Sequence, residues 1–313
     1  MPDTPSPAVA AADPTTVPMA PLPAIHTATL TWYAAHARPL PWRDPDTTPW
    51  GVLVSEVMAQ QTPVARVEPV WREWLQRWPT PAALADAAPG EAIRAWGRLG
   101  YPRRALRLHE AATTIRDRHG GQVPADVAAL RALPGVGEYT AAAVGCFAFG
   151  VAVPVIDTNV RRVLTRALLG RAYAAPSLTA ADRDLAARAL PGTHADAVVW
   201  NVAVMELGAL VCTARSPDCR HCPLATRCAW LGAGRPAYQG PARRTQAWAG
   251  TDRQCRGALL QALRTAAAQV GDRDLAEAWP HDDAQRARCL DGLVADGLVE
   301  PLSDGSFRLP GLS

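Results

Sequence analysis

Amphipathic stretches with helical spacing follow one another along most of this chain, and this periodicity limits the folds open to it. Between residues 25 and 211 apolar residues recur every three or four positions, and almost nothing alternates with period two before residue 300. Such a chain buries its apolar faces by packing helix against helix. The sequence therefore predicts an all-α fold, and 313 residues with 49% hydrophobic content suffice for a sizeable core or two domains.

Composition divides the chain into four segments. Residues 1–24 are rich in Pro, Ala and Thr without a helical period, which predicts a disordered tail. Residues 25–232 carry the long helical region, and the Gly-, Pro- and Arg-rich residues 233–250 predict a linker. Residues 251–313 show the pattern of a helix, a short helix, a third helix and a hairpin, an order that fits a small winged-helix unit.

All 32 basic residues are arginine, and the chain contains no lysine. The formal net charge is only +3, so total charge does not indicate a nucleic-acid partner. Arginine is a good bidentate ligand for phosphate, but without lysine no side-chain amine can form a Schiff base. Because no apolar run is long enough to cross a bilayer, we expect a cytoplasmic protein without membrane contact.

Four of the seven cysteines fall in the short segment "CTARSPDCRHCPLATRC". They are Cys212, Cys219, Cys222 and Cys228, with gaps of six, two and five residues. Zinc sites usually combine two well-separated cysteine pairs, whereas four ligands in one loop suit a compact iron–sulfur cluster. The spacing favours a [4Fe–4S] cluster, with structural zinc as the alternative. The other three cysteines lie in apolar helical segments, where burial is expected.

The segment "LPGVGEYT" places Gly135 and Gly137 directly before a predicted helix that begins at Thr140. Glycine permits positive φ, and successive N–H groups at a helix start attract an anion. The pattern is typical of a phosphate seat, although a helix–turn–helix corner produces the same letters for packing reasons.

Several motifs in a fixed order carry a resemblance to a known family. The glycine turn is followed by Asp157 in "VIDTNVRR", twenty residues after Gly137, and then by the cysteine loop. The segments "LPWRDPDTTPWGVLVSEVMAQQTPV", "GRLGYPRRALRLHEAA" and "MELGALVC" also match. Over roughly residues 25–232 the chain resembles the helix-hairpin-helix DNA glycosylases of the endonuclease III superfamily, and within it the MutY-type A/G-specific adenine glycosylases.

The resemblance implies a fold and a cofactor. The expected fold is a six-helix barrel module at residues 44–154 and an iron–sulfur cluster module formed by residues 25–43 and 155–232. The resemblance implies that Cys212, Cys219, Cys222 and Cys228 hold a [4Fe–4S] cluster.

The resemblance also implies which residues carry base excision. Glu56 falls on the catalytic glutamate that protonates adenine at N7, Asp157 on the carboxylate that stabilises the sugar cation, and Asn159 on a supporting amide. Glu56 shares a helix face with Val52 and Gln60, so partial burial would favour the protonated form that an acid needs. Apart from the resemblance, Glu56 equally fits an exposed helix surface, and Asp157 an N-cap.

Tyr139 occupies the position at which lyase members of the superfamily carry a lysine. A phenol forms hydrogen bonds to the sugar or to the acid but cannot form an imine. Since no other lysine is present, we predict a monofunctional glycosylase that leaves an abasic site.

Contacts to DNA follow from the resemblance as well. The flipped-out base leaves a gap that an inserted side chain fills. The implied residues are Gln61 and Thr62 at the opposite base, Leu99, Gly100 and Tyr101 in a wedge loop, Trp42 and Arg43 in the base pocket, and Leu133, Pro134, Gly135, Val136 and Gly137 at the phosphate. Arginines around the wedge loop suit phosphates, although a solvated helix face is the usual explanation for Arg94, Arg98, Arg103, Arg104 and Arg107.

Two departures leave specificity open. Val202 lies where relatives often carry Glu or Gln in contact with adenine, and an apolar side chain cannot read a base edge. Residues 251–313 are about half the size of the β-rich, Nudix-like domain with which relatives recognise 8-oxoguanine, so the preference for 8-oxoguanine or guanine opposite adenine is undecided. A winged-helix tail either docks on the core or binds duplex DNA through Arg256, Arg264, Arg286 and Arg288.

Two other functions compete with adenine excision. A thymine or uracil mismatch glycosylase keeps the fold but does not need Glu56, because a pyrimidine has no N7 to protonate. A non-catalytic iron–sulfur damage-binding protein would tolerate the loss of Glu56 or Asp157, yet both are present. We expect a monomer that works at the nucleoid on double-stranded DNA containing a mismatch or an oxidised guanine.

Overall fold

The computed structural model describes residues 22–238 and 248–312. These residues form two compact units. The first unit comprises residues 22–38 and 150–238, and the second comprises residues 39–149 and 248–312. The central segment of the chain and its C-terminal part therefore belong to the same unit.

The unit boundaries differ slightly from the sequence-based ones. The sequence predicted residues 44–154 for the six-helix module, whereas the first segment of the second unit runs over residues 39–149. The first helix begins at Leu22 instead of Ile25. The rest of the N-terminal segment predicted to be disordered, residues 1–21, and the middle of the predicted linker, residues 239–247, lie outside the described residues.

Helices make up most of the described chain, which confirms the all-α fold class. In chain order they are α1 (Leu22–His36), α2 (Pro49–Ala59), α3 (Val64–Arg77), α4 (Pro81–Ala85), α5 (Pro89–Trp96), α6 (Arg103–Arg118), α7 (Val127–Arg131), α8 (Glu138–Phe149), α9 (Thr158–Leu169), α10 (Ala180–Arg188), α11 (His194–Leu210), α12 (Ala229–Gly232), α13 (Asp252–Thr265), α14 (Asp272–Ala278) and α15 (Asp283–Ala295). Two short strands, β1 (Glu300–Pro301) and β2 (Phe307–Arg308), follow α15.

Apolar residues recur with helical spacing from residue 49 to residue 78, which by itself predicts one continuous helix, but the structure divides this stretch between α2 and α3. Pro63 is the N-cap of α3, and the ring of a proline disfavours helical backbone at the residue before it. Gln61 adopts a φ of 55°, which a right-handed helix cannot contain. The break therefore has a local cause that hydrophobic spacing does not reveal.

The core of the second unit surrounds α2, whose residues from Trp50 to Met58 are all buried. Tryptophans contribute much of the packing: Trp74 meets both Trp78 and Trp96 edge to face, with ring centroids 4.7 and 5.7 Å apart. Edge-to-face contact is a favoured geometry for aromatic pairs. Because α2 is covered on all sides, a charged residue on it is held inside the protein.

The first unit packs α1, α9 and α11 around a separate core that includes Ile25, Val163 and Leu207. Glu206 of α11 is fully buried and accepts three hydrogen bonds from Arg38, one from its backbone N–H and two from its guanidinium. The bidentate pair satisfies a carboxylate that burial would otherwise penalise. This pair connects the end of the α1 segment to α11.

The C-terminal part of the second unit has the element order of a winged helix. The helices α13, α14 and α15 are followed by β1 and β2, which pair antiparallel with Glu300 opposite Arg308. Val270, between α13 and α14, bridges to Phe307 and adds a third extended segment. The helix–helix–helix–hairpin order predicted from the sequence is therefore present.

Within the second unit this C-terminal part is docked on α5. Ile93 of α5 lies in the apolar core formed by α13, α14 and α15. The guanidinium of Arg264 donates to the Ile93 carbonyl at 2.9 Å, and the Gly90 N–H donates to the Pro310 carbonyl at 2.7 Å. Of the two roles predicted for this part, docking on the core is the one seen in the structure.

No helix in the described part of the chain combines the length and the apolar composition that crossing a membrane requires.

Candidate active site

Glu56 lies near the end of α2, and only 8% of its surface is exposed. The phenolic O–H of Tyr139, on α8, donates to Glu56 Oε2 at 2.9 Å. Directly after α2, the side-chain amide of Gln60 donates to the hydroxyl of Thr140 at 3.0 Å. Two adjacent residues of α8 thus hold one polar residue of α2 and the residue that ends it, and the carboxyl of Glu56 is oriented by a residue 83 positions away.

The glycine turn before α8 is built on two buried anchors, Leu133 and Val136. Gly135 between them has a φ of 75°, and a Cβ at this position would lie 2.6 Å from Cβ of Arg107. Only glycine fits this close approach and this backbone conformation. The turn therefore presents its backbone at the surface while its apolar residues point into the core.

The expectation for Gly137 was wrong in one respect. Its φ is not in the positive range, unlike that of Gly135. A Cβ at Gly137 would meet open space within 4 Å, so the absence of a side chain leaves the N-terminus of α8 open to an approaching group. An anion is favoured at such a position by the helix dipole.

Asp157 is the N-cap of α9. Its Oδ1 accepts from the Val160 N–H at 2.6 Å, and its Oδ2 accepts from the Asn159 side-chain amide at 2.7 Å. Burial raises the pKa of Asp157 above that of an ordinary Asp, against the opposing effect of these two hydrogen bonds. The carboxyl is therefore held in place at both oxygens, and its proton affinity is higher than usual.

Arg162, one turn into α9, connects this carboxyl to the cysteine loop. It donates to Oδ1 of Asn159 at 2.7 Å, to the Gly208 carbonyl at 2.6 Å and to the Cys212 carbonyl at 2.6 Å. The backbone at Gly208 lies close to Asn159, and glycine permits this, because a Cβ at position 208 would lie 2.7 Å from Cβ of Asn159. The segment "MELGALVC" therefore has a packing reason for its glycine.

The four cysteines of the loop line one common cavity in the first unit. The guanidinium of Arg166 lies beside it, 3.4 Å from Sγ of Cys212 and 4.5 Å from the Trp230 ring. Burial, together with the neighbouring thiols, raises the pKa of Cys222 to about 11. The protein thus gathers the four thiols in a place where thiolates are disfavoured unless a cation neutralises them.

Four thiols at one cavity are a donor set that zinc and iron–sulfur centres both use. Among the described residues, no group of three or more His, Cys, Asp and Glu side chains is gathered closely enough to hold a metal ion as it stands. The four cysteines are therefore candidate ligands of a metal centre.

The wedge loop and the segment after α2 meet through Arg104. Its guanidinium donates to backbone carbonyls in both segments and to one hydroxyl. The acceptors are Val57 O, Met58 O, Gln60 O, Thr62 Oγ1, Leu99 O and Gly100 O, at 2.6–3.4 Å. Burial lowers the pKa of Arg104 to about 10, which still leaves it charged at neutral pH. A single planar cation therefore sets the shape of both segments.

Only part of the residues predicted to meet DNA are accessible. Leu99 is 4% exposed and belongs to the core, and Thr62 is 8% exposed with its hydroxyl bonded to the Leu99 carbonyl. Tyr101 and Gln61 are exposed, and both have positive φ, at 47° and 55°. Such backbone is uncommon outside glycine and persists where the surroundings enforce it. Leu99 and Thr62 are thus packed inside the unit, Tyr101 and Gln61 lie at the surface, and the contacts of all four with DNA stay a prediction.

Trp42 and Arg43 lie in a 3-10 turn, Pro41–Arg43, before α2. Trp42 is partly buried and meets Trp71 edge to face at 5.8 Å. Its packing against the core is clear, and the role in a base pocket stays a prediction for both residues.

Sequence reasoning missed the organising arginines. Arg104 was treated as one of several surface cations, and Arg162 and Arg166 were not singled out. The sequence pattern around a group of arginines does not show which of them has its side chain buried in the protein. The only available signal was position: Arg162 and Arg166 are four residues apart and therefore share one face of the helix that Asp157 caps.

Comparison with known proteins agrees with this architecture. The model of the HhH-GPD superfamily base excision DNA repair proteins matches residues 54–186, which include Glu56, the glycine turn and Asp157. The solved structure of a thermostable thymine-DNA glycosylase superimposes with a TM-score of 0.62 at 27% identity, covering 71% of this chain and 100% of that chain. The fold is therefore that of the helix-hairpin-helix DNA glycosylases.

Two curated relatives resemble the chain over most of its length. Adenine DNA glycosylase of Mycobacterium tuberculosis is 54% identical over 292 residues, 90% of this chain and 92% of that protein. Adenine DNA glycosylase of Mycolicibacterium smegmatis is 54% identical over 282 residues, 90% of this chain and 94% of that protein. The chain belongs to the adenine DNA glycosylase family, and the resemblance inferred from its motifs is confirmed.

Proposed function

We propose that this protein excises adenine from DNA and leaves an abasic site. The observation that carries the proposal is the hydrogen bond between Glu56, buried on α2, and Tyr139, two residues after the second glycine of the turn. A buried carboxyl with a fixed orientation can serve as a general acid toward a base that has left the stack. The names of the relatives support adenine as that base.

The chemistry divides between two carboxyl groups. Glu56 gives its proton to the adenine ring, so the base leaves as a neutral molecule when the bond to C1′ breaks. Asp157 as the carboxylate stabilises the positive charge that develops on the deoxyribose. A water molecule then adds its oxygen at C1′ and gives up one proton, which returns to the Glu56 carboxylate. Asn159 keeps the carboxylate of Asp157 in place through its amide.

The nature of Tyr139 limits the reaction to hydrolysis. Its phenol is engaged with Glu56 and cannot form an imine with the opened sugar. The chain also lacks lysine. Strand breakage that keeps pace with base release, without heat or alkali, would contradict this part of the proposal.

We propose a [4Fe–4S] cluster in the cavity lined by Cys212, Cys219, Cys222 and Cys228. When bound, such a cluster supplies four irons that each take one thiolate and lend charge and rigidity to the loop. The chain's own residues support the cluster. Arg166 places a cation beside Cys212, and Arg162 donates hydrogen bonds both to the Cys212 carbonyl and to Asn159.

A single-turnover assay on matched duplexes tests the proposed activity. The duplexes contain A opposite 8-oxoguanine, A opposite G, T opposite G and U opposite G. We expect release of adenine from the first two, and loss of about 10²- to 10⁴-fold in rate for Glu56→Gln, which keeps the shape but cannot donate a proton. The relative rates on the first two duplexes also measure the opposite-base preference, which we propose to be for 8-oxoguanine or guanine.

One observation favours a second candidate, a thymine mismatch glycosylase. Val202 on α11 offers no polar group to a base edge, and the superimposed structure belongs to a thymine-DNA glycosylase. Release of thymine from the T:G duplex, undiminished in Glu56→Gln, would favour this candidate over adenine excision.

A further inference from the structure

The start of the C-terminal part places two side chains beside the wedge loop. The guanidinium of Arg253, in the first turn of α13, lies 5.2 Å from the Tyr101 ring centroid and 5.2 Å from the Trp248 ring centroid. All of these residues belong to the second unit. Trp248 is held at the helix start, because its carbonyl accepts from the Thr251 hydroxyl at 2.8 Å. The three form one cluster, here called the aromatic–arginine cluster.

The cluster is exposed although its rings are large and apolar. Trp248 is 55% exposed and Tyr101 is 45% exposed, the two highest values among the large hydrophobic residues described. Tyr101 also adopts a φ of 47°, and the guanidinium of Arg104 lies 5.5 Å from its ring centroid as well. Strained backbone and stacked cations hold this ring outward in a fixed place, which is typical of a binding surface.

Arg253 differs from the other arginines of the C-terminal part. Six of the seven arginines between residues 248 and 312 donate to an acceptor within the second unit. These pairs are Arg256 with Asp296, Arg264 with the Ile93 carbonyl, Arg273 with Glu277, Arg286 with Asp283, Arg288 with Asp252 and Arg308 with Glu300. Arg253 has no carboxylate partner in the described part of the chain. Its charge is directed to the surface with only aromatic rings beside it.

The surrounding surface carries the same sign of charge. Arg66, on α3, donates to the carbonyl of Arg98 next to the wedge loop; both arginines are exposed and have no carboxylate partner within the described residues. Exposed guanidinium groups interleaved with aromatic rings are the combination that binds nucleic acid, because cations hold phosphates and rings stack on bases. An acidic protein partner would need only the arginines for binding. It would leave the two exposed aromatic rings without a role.

We propose that Arg253 and Trp248 extend the DNA-binding surface of the wedge loop, with Trp248 stacking on a base of the distorted duplex and Arg253 binding a backbone phosphate. This inference rests on the proposed function, since it takes the duplex as the substrate that Tyr101 approaches. The C-terminal part would then contribute two residues to substrate binding while its own core stays docked on α5. Arg256, Arg264, Arg286 and Arg288, considered above from the sequence, are engaged inside the unit and are not needed for it.

Binding of full-length protein to a duplex with an abasic-site analogue opposite guanine tests the inference. All proteins carry Glu56→Gln, so the readout is affinity and not chemistry. We expect Trp248→Ala to weaken binding by about 5- to 100-fold. We expect Arg253→Ala to weaken binding and to lower the slope of log Kd against log salt by about 0.9, the effect of one phosphate contact.

Arg273→Ala is the matched control, because Arg273 is an exposed arginine of the same part, on α14, paired with Glu277. Its affinity and salt slope are expected to stay at the parent values. Melting temperatures of all variants check that the C-terminal part remains folded. Affinities of Trp248→Ala and Arg253→Ala within twofold of the parent, or an equal loss in Arg273→Ala, would overturn the inference. Adenine release by the unmodified protein is measured separately, so failure of the proposed function gives a different result.

Discussion

The hydrogen bond from Tyr139 to Glu56 joins the proposed acid to the residue that replaces the lysine of lyase members. Its consequence is positional: a carboxyl that rotates freely would present its proton in many directions, whereas one that accepts from a fixed phenol presents the same oxygen each time. Since the Tyr139 phenol contacts the Glu56 carboxyl, we propose that Tyr139 acts as a positioning residue. Its effect should appear in rate and not in DNA affinity.

We therefore expect Tyr139→Phe to slow adenine release by about tenfold, the kinetic equivalent of about 1.4 kcal/mol for one hydrogen bond to an ionisable group. Dissociation constants for DNA should be unaffected. Tyr173→Phe is a suitable control, since the Tyr173 phenol donates to the Ala214 carbonyl at 2.8 Å and not to a carboxyl. Equal rates for Tyr139→Phe and the parent would show that Glu56 needs no such support.

We expect Asp157 to set the low-pH limit of the proposed activity. It must be ionised to stabilise a cation, and burial raises its pKa, so the rate should fall at a higher pH than for an ordinary Asp. Asn159→Ala removes an amide that favours the ionised form, which raises the pKa further. The acidic limb of the single-turnover rate against pH should therefore move upward in this variant. If the acidic limb does not move in Asn159→Ala, then Asn159 does not influence the ionisation of Asp157.

Among the structural elements, the two segments joined by Arg104 depend on one side chain for their shape. Arg104→Lys preserves the charge but not the planar fork, so it cannot reach the same set of carbonyls. We expect Arg104→Lys to lower the free energy of unfolding by about 2 kcal/mol and to weaken DNA binding. Urea unfolding and binding isotherms provide the measurements. The exposed Arg98 is a control: Arg98→Lys should leave stability unchanged.

We expect the cysteine loop to depend on the proposed cluster. Purified protein should contain about four irons and four acid-labile sulfides per chain, as a [4Fe–4S] cluster requires. Cys219→Ser should reduce the iron content and release the loop that Arg162 connects to Asn159. Elemental analysis checks the first expectation, and adenine release by Cys219→Ser checks the second. One zinc and no iron per chain would identify the alternative metal site.

The whole second unit depends on the contact between α5 and the C-terminal part. Gly90 lies so close to it that a Cβ would be 2.7 Å from the Pro310 carbonyl oxygen and 2.8 Å from Leu312. Gly90→Ala should therefore destabilise the unit by about 1–3 kcal/mol and promote proteolytic release of the C-terminal part. Gly257→Ala on α13 is the matched control, because its Cβ meets nothing within 4 Å and alanine favours helix. Thermal unfolding with limited proteolysis distinguishes the two.

Helices, caps and the order of motifs could be predicted because each depends on neighbouring residues. Thr80, Asp157 and Thr193 cap the helices that follow them, as short polar side chains do at such positions. The four cysteines lie in one loop, so their spacing alone indicated a shared site. The break between α2 and α3 was missed, since a regular apolar period conceals a local turn at Gln61.

The roles of individual arginines could not be predicted, because they depend on groups that the fold brings from far along the chain. Arg104 reaches carbonyls more than forty positions away, and Arg253 reaches Tyr101 across about half of the chain. In the sequence all 32 arginines have the same chemistry. Local spacing fixes which residues are helical and which thiols are neighbours, whereas burial and long-range packing select the cation that shapes a loop and the one that faces solvent. That selection is a property of three-dimensional distance, which a linear pattern does not contain.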